Sequence, residues 1–546
     1  GPVVVTDNVL LTAVSEGYSV FPKCLHPVMD QCLGWTLLTV TWVISAEGTP
    51  PTDQPNIIFI LADDLGYNDV PYNNPEIVAP NLKNLAEQGL VIDQHYVQPV
   101  CTPSRAALMT GVYPFHMGRQ HKVLRMIEPA GVPLRYKMLP RALKELGYDT
   151  HMIGKWHLGF CSEDYLPTSR GFDTFIGFYT GSIHYYTCGT GQSEDYHLPK
   201  EYPSGLKRKL PGVIQNQGYD FRKNTDVFIK SNNEHNAYLY EREAERMILG
   251  NNQTKPFFLY LSLQQPHTPL MADEDMMLNY KNITSEKRRS YLGLVTSIDR
   301  TVETVRNALK RTGLDQNTII IFTSDNGGAI CCGGDNTPLR GIKNTLFEGG
   351  TRAPAVFYHP RLKYNKEKVR RLMHITDWYP TLLHFAGGSF PDYLDGVDQY
   401  GMLTQNLESP RRELVYNIDN EVPFEAALRD EKYKLLLNCM PVNVGRLSKK
   451  VKHMQTDLLR GVNIDFNCRF TNGLEFVKMR LYNIEDDPAE TKNLIVSHKN
   501  IARQLLKKLE YHMSSLKPAA ILDDDPNGVP KAPDFVYEPG WCDSVY

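Results

Sequence analysis

Three continuous apolar runs constrain the fold of this chain more than any other feature. They cover residues 56–62 (NIIFILA), 256–263 (PFFLYLSL) and 318–323 (TIIIFT). Runs without alternation are typical of strands buried on both faces, as in a parallel sheet covered by helices. Between the second and third runs, residues 291–309 carry apolar side chains at helical spacing, which predicts a helix packed on the sheet. The sequence therefore predicts an α/β fold.

Polar residues follow each of these runs. Asp63 and Asp64 follow the first run, His267 lies just after the second, and Asp325 and Asn326 lie just after the third. Open α/β sheets bind ligands at the carboxyl ends of their strands, so we expect these side chains to lie at one edge of the sheet. The alternative for an isolated pair of aspartates is a solvated turn.

Two further segments add basic residues to this set. Residues 147–157 (GYDTHMIGKWH) predict a short strand whose end presents Lys155 and His157, and Lys343 lies in a glycine-rich loop. Taken alone, Lys155 and His157 would be ordinary loop residues. Chance placement of polar residues in loops would not favour the whole set.

Cys101 begins the segment CTPSRAALMTG at residues 101–111. A proline near its start and the good helix formers that follow predict a helix with Cys101 at its N-terminus. Such a terminus has unpaired N–H groups and the positive end of the helix dipole, which stabilise an anion or an activated nucleophile. For an isolated cysteine, the alternative is a buried or disulfide-bonded side chain.

The complete segment resembles the signature of the type I sulfatases, and GKWHLG at residues 154–159 resembles their second signature. RGFDT at residues 170–174, PLRG at 338–341 and HITDW at 374–378 extend the resemblance. It covers about residues 53–546 and is closest to the arylsulfatase B (N-acetylgalactosamine-4-sulfatase) type. Cys331 and Cys332 depart from that type and leave the substrate open.

The resemblance implies a modified nucleophile. Cys101 would be oxidised to formylglycine by the formylglycine-generating enzyme, and the aldehyde would be hydrated to a geminal diol. One hydroxyl would attack sulfur with Asp325 as the base. His157 would then remove the proton of the second hydroxyl, which expels sulfate and regenerates the aldehyde.

The resemblance also implies how the sulfate ester is bound. Lys155 and Lys343 would hold the sulfate oxygens, and Arg105 would hold the formylglycine and the charge on the metal side. His267 would protonate the leaving oxygen. We therefore expect these residues and Cys101 to be catalytic.

The acidic residues predict a metal site. Asp63, Asp64, Asp325 and Asn326 offer only oxygen ligands, and no His or Cys cluster has zinc spacing. Such ligands favour a hard cation, Ca²⁺ or Mg²⁺. The resemblance favours Ca²⁺ and adds the modified Cys101 to the ligand set.

Two domains are expected after a leader. The resemblance implies an alkaline-phosphatase-like mixed sheet flanked by helices, over residues 53–410. Short strands at 414–418, 426–429, 434–437 and 480–484, then a helix at 500–513, predict a smaller C-terminal α+β domain with an antiparallel sheet over 411–546. Residues 160–255 have little periodicity and are expected to surround the mouth of the site.

Charge and hydropathy restrict the partners and the compartment. A net charge of −3 without a polybasic segment argues against nucleic acid or an anionic membrane surface. The apolar stretch at residues 33–46 is short for a membrane span and suits a signal peptide over about 29–46, within a leader and linker over 1–52. A buried helix or an uncleaved anchor is the alternative.

Cysteines and sequons point to the secretory pathway, with a lysosomal or secreted destination. The chain has 10 cysteines, and Asn252 and Asn282 are potential glycosylation acceptors. The preferred disulfides are Cys161 with Cys188 and Cys439 with Cys468, because each closes a moderate loop. Spacing alone leaves other pairings open.

The main functional prediction is a sulfuric ester hydrolase acting on a sugar, glycosaminoglycan or aryl sulfate. A phosphomonoester or phosphonate hydrolase on the same scaffold is one alternative, because phosphate and sulfate esters share tetrahedral geometry. A sulfated-glycan-binding pseudoenzyme is another. It is disfavoured because the nucleophile, bases, sulfate-binding lysines and metal ligands are all present.

Overall fold

The computed structural model describes residues 54–190, 218–230, 232–363, 368–421, 424–441, 475–531 and 534–543. The predicted leader and Cys468 lie outside these residues. No helix in these ranges is long and apolar enough to cross a bilayer.

Three sheets contain all the strands of the described residues. A nine-stranded sheet carries the catalytic candidates, a two-stranded sheet lies beside it, and a four-stranded sheet forms near the C-terminus. The strands are β1 Asn56–Ala62, β2 Leu90–Val91, β3 His95–Tyr96, β4 Asp149–Lys155, β5 Thr174–Phe178, β6 Arg222–Lys223, β7 Asp226–Val227, β8 Phe257–Ser262, β9 Thr318–Ser324, β10 Ala355–Tyr358, β11 Met373–His374, β12 Glu413–Asp419, β13 Glu425–Asp430, β14 Tyr433–Pro441 and β15 Glu475–Asn483.

The large sheet has the order β2-β10-β9-β1-β8-β4-β5-β6-β7. Its five central strands, β9, β1, β8, β4 and β5, are parallel to one another. The flanking strands β10, β2, β6 and β7 pair antiparallel. The predicted mixed sheet is confirmed, and the carboxyl ends of β9, β1, β8 and β4 lie side by side.

Helices cover both faces of this sheet, which explains why its central strands are apolar throughout. In β1, Ile57 and Phe59 belong to one buried core and Ile58 and Ile60 to the other. The helices are α1 Pro80–Gln88, α2 Cys101–Thr110, α3 Pro114–Met117, α4 Leu139–Glu145, α5 Asn236–Leu249, α6 Glu286–Thr312, α7 Glu348–Thr351, α8 Trp378–Phe385, α9 Tyr400–Gln405 and α10 Lys499–Met513.

The C-terminal sheet has the order β12-β13-β14-β15 and is antiparallel throughout. Helix α10 packs its apolar face on the sheet, with Leu505 and Leu509 in the same core as Leu428 and Leu435. The predicted small antiparallel sheet with one helix is confirmed. The domain boundary near residue 411 stays a prediction.

The region between residues 160 and 255 is more regular than its sequence indicated. It contains β5, β6, β7 and α5, which extend the large sheet and cover one of its faces. The strands β6 and β7 have two residues each, too few to show a period in the sequence. Their pairing comes from the neighbouring strand, not from local pattern.

The predicted Cys161–Cys188 disulfide is wrong. Cys161 is bonded to Cys542, 381 residues away. The carbonyl of Cys161 accepts N–H groups from Gly540 and Trp541, so the C-terminal segment is held against it. Cys188 is buried, and its Sγ lies 3.5 Å from Asn236 Oδ1. The pairing is therefore set by a long-range contact, which loop length could not indicate.

Candidate active site

The residues predicted at four strand ends meet at one edge of the large sheet. Asp63 and Asp64 follow β1, and Asp325 follows β9, with which β1 pairs. Lys155 is the last residue of β4, which is separated from β1 by β8. We call Asp63, Asp64, Asp325 and the cations Arg105, Lys155 and Lys343 the catalytic cluster.

Asp63 lies at the fully buried side of this cluster. Its Oδ2 accepts from Lys155 Nζ at 2.6 Å and lies 3.6 Å from Arg105 Nη2. Its Oδ1 lies 3.5 Å from Cys101 Sγ. Burial raises the pKa of Asp63, but the surrounding cations outweigh burial and hold that pKa below its usual range. Asp63 is therefore an anion next to the predicted nucleophile.

Asp64 lies at the side of the catalytic cluster that is more exposed to solvent. Lys343 Nζ is 2.7 Å from Asp64 Oδ1 and 2.8 Å from Oδ2, and Asn326 Nδ2 donates to Oδ1 at 2.7 Å. His267 Nε2 is 3.6 Å from Oδ2, and both Lys343 and His267 keep 15% of their side chains exposed. Burial raises the pKa of Asp64, and Lys343 then brings it below its usual value.

Cys101 begins α2, as predicted, and is buried. Burial, then Asp325, raise the pKa of its thiol to about 12. A thiol with this pKa is not ionised at neutral pH and is a weak nucleophile. The pKa of this thiol is thus raised although it lies at a helix N-terminus.

Arg105 lies one turn further along α2 and is bound on all sides by protein groups. Its Nε and Nη2 donate to Asp325 Oδ2 at 3.0 and 2.8 Å, and its Nη1 donates to Lys155 O and Ser262 Oγ. The side chain has no exposed surface. Burial and the neighbouring Asp63 raise the pKa of Asp325 despite Arg105. The two hydrogen bonds from Arg105 fix the position of the Asp325 carboxylate.

His157 follows β4 with a positive φ of 57°. Its Nε2 lies 3.0 Å from the carbonyl oxygen of Leu124. Because a carbonyl only accepts, Nε2 carries the proton. Its Nδ1 is buried and has no hydrogen-bond partner among the described residues. Burial, together with Lys155, holds the pKa of His157 well below its usual value, so its Nδ1 lone pair is free to accept a proton.

His267 is held in one orientation by its neighbours. Its Nδ1 donates to Thr268 O at 2.6 Å, which leaves Nε2 directed to Asp64. Tyr185 donates to the carbonyls of Gln264 and His267 at 3.2 and 3.0 Å, so it supports this loop. Sequence reasoning missed Tyr185, because it lies in the region with little periodicity. Burial lowers the pKa of His267.

The site has atoms suited to a metal ion. Asn326 Oδ1 is buried without a hydrogen-bond partner among the described residues, while its amide nitrogen donates to Asp64 and to Gly327 O. Ligand atoms of Asp63, Asp64, Cys101 and His267 lie within 4.8 Å of one another. His267 was not among the predicted ligands. The crowded carboxylates and the unpaired amide oxygen fit a hard cation.

Comparison with known proteins identifies relatives along most of the chain. The family model described as Sulfatase matches residues 55–388. Mouse (Mus musculus) arylsulfatase J is 36% identical over 512 residues, covering 90% of this chain and 81% of that protein. Human (Homo sapiens) arylsulfatase A is 30% identical over 481 residues, covering 85% of this chain and 88% of that protein.

Solved structures also resemble this chain. The structure of Ps i-CgsB in complex with k-i-k-neocarrahexaose superposes with a TM-score of 0.70 and 28% identity, covering 87% of this chain and 95% of that chain. The expectation of an arylsulfatase B type needs correction, since the similarity found is to arylsulfatase J.

Proposed function

The chain belongs to the sulfatase family and is a sulfuric ester hydrolase acting on sulfate esters of sugars or aryl groups, and we propose that it does so with formylglycine at position 101. The observation that carries the proposal is the position of Cys101, whose Sγ lies among the ligand atoms of Asp63, Asp64 and His267. A hydrated formylglycine there supplies a hydroxyl nucleophile, which the buried thiol does not.

Modification has to precede folding. Cys101 has 2% of its surface exposed, so an enzyme could not reach it in the folded chain. The formylglycine-generating enzyme would act on the unfolded chain in the secretory pathway. The Cys161–Cys542 disulfide and the exposed sequon residues Asn252 and Asn282 support that compartment, with a lysosomal or secreted destination.

The lysines bind the sulfate group in this proposal. Lys155 and Lys343 each hold one aspartate and bring positive charge toward position 101 from two sides. Lys343 is partly exposed and meets the entering ester, whereas Lys155 is fully buried. Preorganised cations in a dry site stabilise charge that develops on the sulfate oxygens. Arg105 does not touch the substrate but keeps Asp325 in place.

Asp325, His157 and His267 carry out the proton transfers in this proposal. Asp325 accepts the proton of the attacking hydroxyl, and Arg105 holds it in position to do so. His157 takes up a second proton at Nδ1, the nitrogen that has no partner among the described residues. His267 acts as the imidazolium, with a proton on Nε2 as well as on Nδ1, and Nε2 donates to the leaving oxygen; burial opposes this form, and the charges of Asp63 and Asp64 favour it. For His157, the hydrogen bond of Nε2 to the carbonyl of Leu124 leaves Nδ1 as the accepting nitrogen.

A divalent cation would be held by Asp63, Asp64, Asp325, Asn326 and the residue at position 101. Ca²⁺ suits this set better than Mg²⁺, because it accepts more oxygen ligands at less regular geometry. When bound, it would neutralise sulfate charge and polarise the hydrated aldehyde. The unpaired Asn326 oxygen supports the assignment.

Binding of the cation is tested without turnover. Chelator-treated protein should show a higher Tm when Ca²⁺ is added, because the cation binds the folded state alone. Asp64→Asn should reduce that shift, while Asp523→Asn, at an exposed position of the C-terminal tail, should keep it. An equal shift in both variants would remove Asp64 from the ligand set.

The reaction is tested by turnover of an aryl sulfate and the matched aryl phosphate, with peptide mass analysis of position 101. We expect the sulfate to be preferred and the active fraction to equal the aldehyde-bearing fraction. Preference for the phosphate would favour a phosphomonoesterase. Full activity in protein whose Cys101 is wholly thiol would refute the formylglycine mechanism.

A further inference from the structure

Cys331 and Cys332 are adjacent in the chain, and their Sγ atoms lie 3.2 Å apart. They end the short turn Ile330–Cys332 in the loop that follows β9; Cys331 is exposed and Cys332 is half-buried. The proposed mechanism uses neither residue. We propose that this pair is a thiol–disulfide exchange site, which closes reversibly into a vicinal disulfide and thereby shifts the loop that positions Lys343.

The two sulfur atoms are close enough to form a disulfide, and the chain geometry makes that disulfide easy to reduce. The peptide bond between the two residues is trans, so their Cα atoms are about 3.8 Å apart. Most disulfides join Cα atoms roughly 4.4–6.8 Å apart, so a ring between neighbours is strained. Strained and exposed disulfides are reduced more easily than structural ones. By contrast, Cys161 and Cys542 have Cα atoms 5.4 Å apart, within the ordinary range.

Backbone hydrogen bonds connect the pair to the catalytic cluster. The N–H groups of Cys332 and Gly334 both donate to Ala329 O, at 3.0 and 3.1 Å. The preceding residue, Gly328, accepts the N–H of Lys343 at 3.3 Å. Closing a ring at residues 331–332 changes the backbone of this turn and pulls on Ala329. Lys343, which holds Asp64, is therefore the site residue most directly affected.

The exchange is balanced with a small-molecule disulfide such as glutathione disulfide as the oxidant. The exposed Cys331 thiolate attacks one glutathione sulfur, forming a mixed disulfide and releasing one glutathione. Cys332 then attacks the Cys331 sulfur, forming the protein disulfide and releasing the second glutathione. Two protein thiols are oxidised, one glutathione disulfide is reduced, and the two protons end on the two glutathione thiols.

Mass analysis after titration with mixtures of reduced and oxidised glutathione tests closure. We expect the peptide containing residues 331–332 to lose two hydrogens and resist alkylation in oxidising mixtures. It should reopen at a glutathione ratio that leaves Cys161–Cys542 intact. In Cys332→Ser, Cys331 should instead keep the glutathione adduct, because no neighbouring thiol remains to displace it. Alkylation of both wild-type cysteines at every ratio would overturn the proposal.

Turnover tests the connection to Lys343, and this step rests on the proposed function. The oxidised wild type should show a several-fold higher KM for an aryl sulfate than the reduced protein. Cys331→Ser, which cannot close the ring, should have one KM under both conditions. Ring closure by mass with an unchanged KM would overturn the connection to Lys343. The mass result itself does not depend on sulfatase activity.

Discussion

Two clusters of buried charge among the described residues differ in the kind of polar atom that each leaves without a hydrogen bond. The second, which we call the junction cluster, consists of Glu348, Lys434 and Glu490 with Tyr96 and Tyr416. Glu348 accepts from Lys434 at 3.0 Å and from each tyrosine at 2.7 Å. Glu490 accepts the Glu348 N–H at 2.7 Å and pairs with Lys434 at 2.9 Å. These bonds tie α7 to the C-terminal sheet.

The catalytic cluster is just as buried, but the unpaired atoms beside it are neutral acceptors. Three aspartates crowd one strand edge, and the nearby Asn326 Oδ1 and His157 Nδ1 have no hydrogen-bond partner among the described residues. Leaving buried polar atoms unpaired costs stability, so such atoms are places for a ligand, an ordered water or a proton transfer. Burial of charge alone therefore does not mark an active site in this protein. The two clusters differ in that the unpaired atoms beside the catalytic cluster, Asn326 Oδ1 and His157 Nδ1, are neutral acceptors, whereas the unpaired atom of the junction cluster is a carboxylate oxygen of Glu490.

The largest effect on turnover is expected for Cys101→Ala, which tests the catalytic cluster. Without the aldehyde, turnover should fall on the order of 10⁶-fold, the scale for removal of a nucleophile. The Tm should change little, because a small side chain is replaced by a similar one. Steady-state kinetics and thermal unfolding measure both. The buried Cys188 is the matched control, and Cys188→Ala should keep its turnover. Residual activity near wild type in Cys101→Ala would remove position 101 from the mechanism.

His267→Ala tests whether the open side of the catalytic cluster supplies a proton. A positioned acid contributes about 10²–10⁴-fold, and an alkoxide needs it more than a nitrophenolate does. The variant should therefore lose far more kcat/KM on a sugar sulfate than on a nitrophenyl sulfate. Equal losses on both substrates would leave His267 as a sulfate contact only.

Lys434→Met tests the junction cluster, where the effect should fall on stability. Removing the lysine takes away the cation that the buried Glu348 and Glu490 carboxylates share, and breaking a buried ion pair in this way typically costs about 3–5 kcal/mol. Urea unfolding should show this loss, with turnover per folded molecule unchanged. Lys508→Met is the control, because that lysine pairs with Glu413 but is 42% exposed, and should cost about 0–1 kcal/mol. Comparable losses would contradict the role of Lys434.

The smallest effect is expected for Glu490→Gln. Burial raises the pKa of Glu490 above its ordinary value of 4.5 despite Lys434. The folded state thus holds the proton more tightly, and this contribution to stability is lost as pH rises from 4.5 toward neutrality. The Tm of the variant should fall less over that range than the wild-type Tm. Glu87→Gln, at an exposed position of α1, should match the wild type. Parallel curves for all three proteins would exclude Glu490.

Sequence reasoning predicted the elements of the site but not their partners. The strand β1, the start of α2 at Cys101 and the small C-terminal sheet follow from local patterns and were predicted within a few residues. That Lys155 binds Asp63, 92 residues away, could not be predicted, because it depends on the order of strands in the sheet. For the same reason the Cys161 disulfide was assigned to the wrong partner.

The sequence by itself determined the family and the chemical groups available to this protein, because motifs and apolar runs are local properties of the chain. Tertiary structure alone decided how those groups share their bonds. It joined Arg105 to Asp325, brought His267 beside Asp64, and left Nδ1 of His157 without a hydrogen-bond partner in the part of the chain that the structure describes. These arrangements depend on contacts between strands far apart in sequence, and the free energy of burying each charge is set by neighbours that only the folded chain brings together.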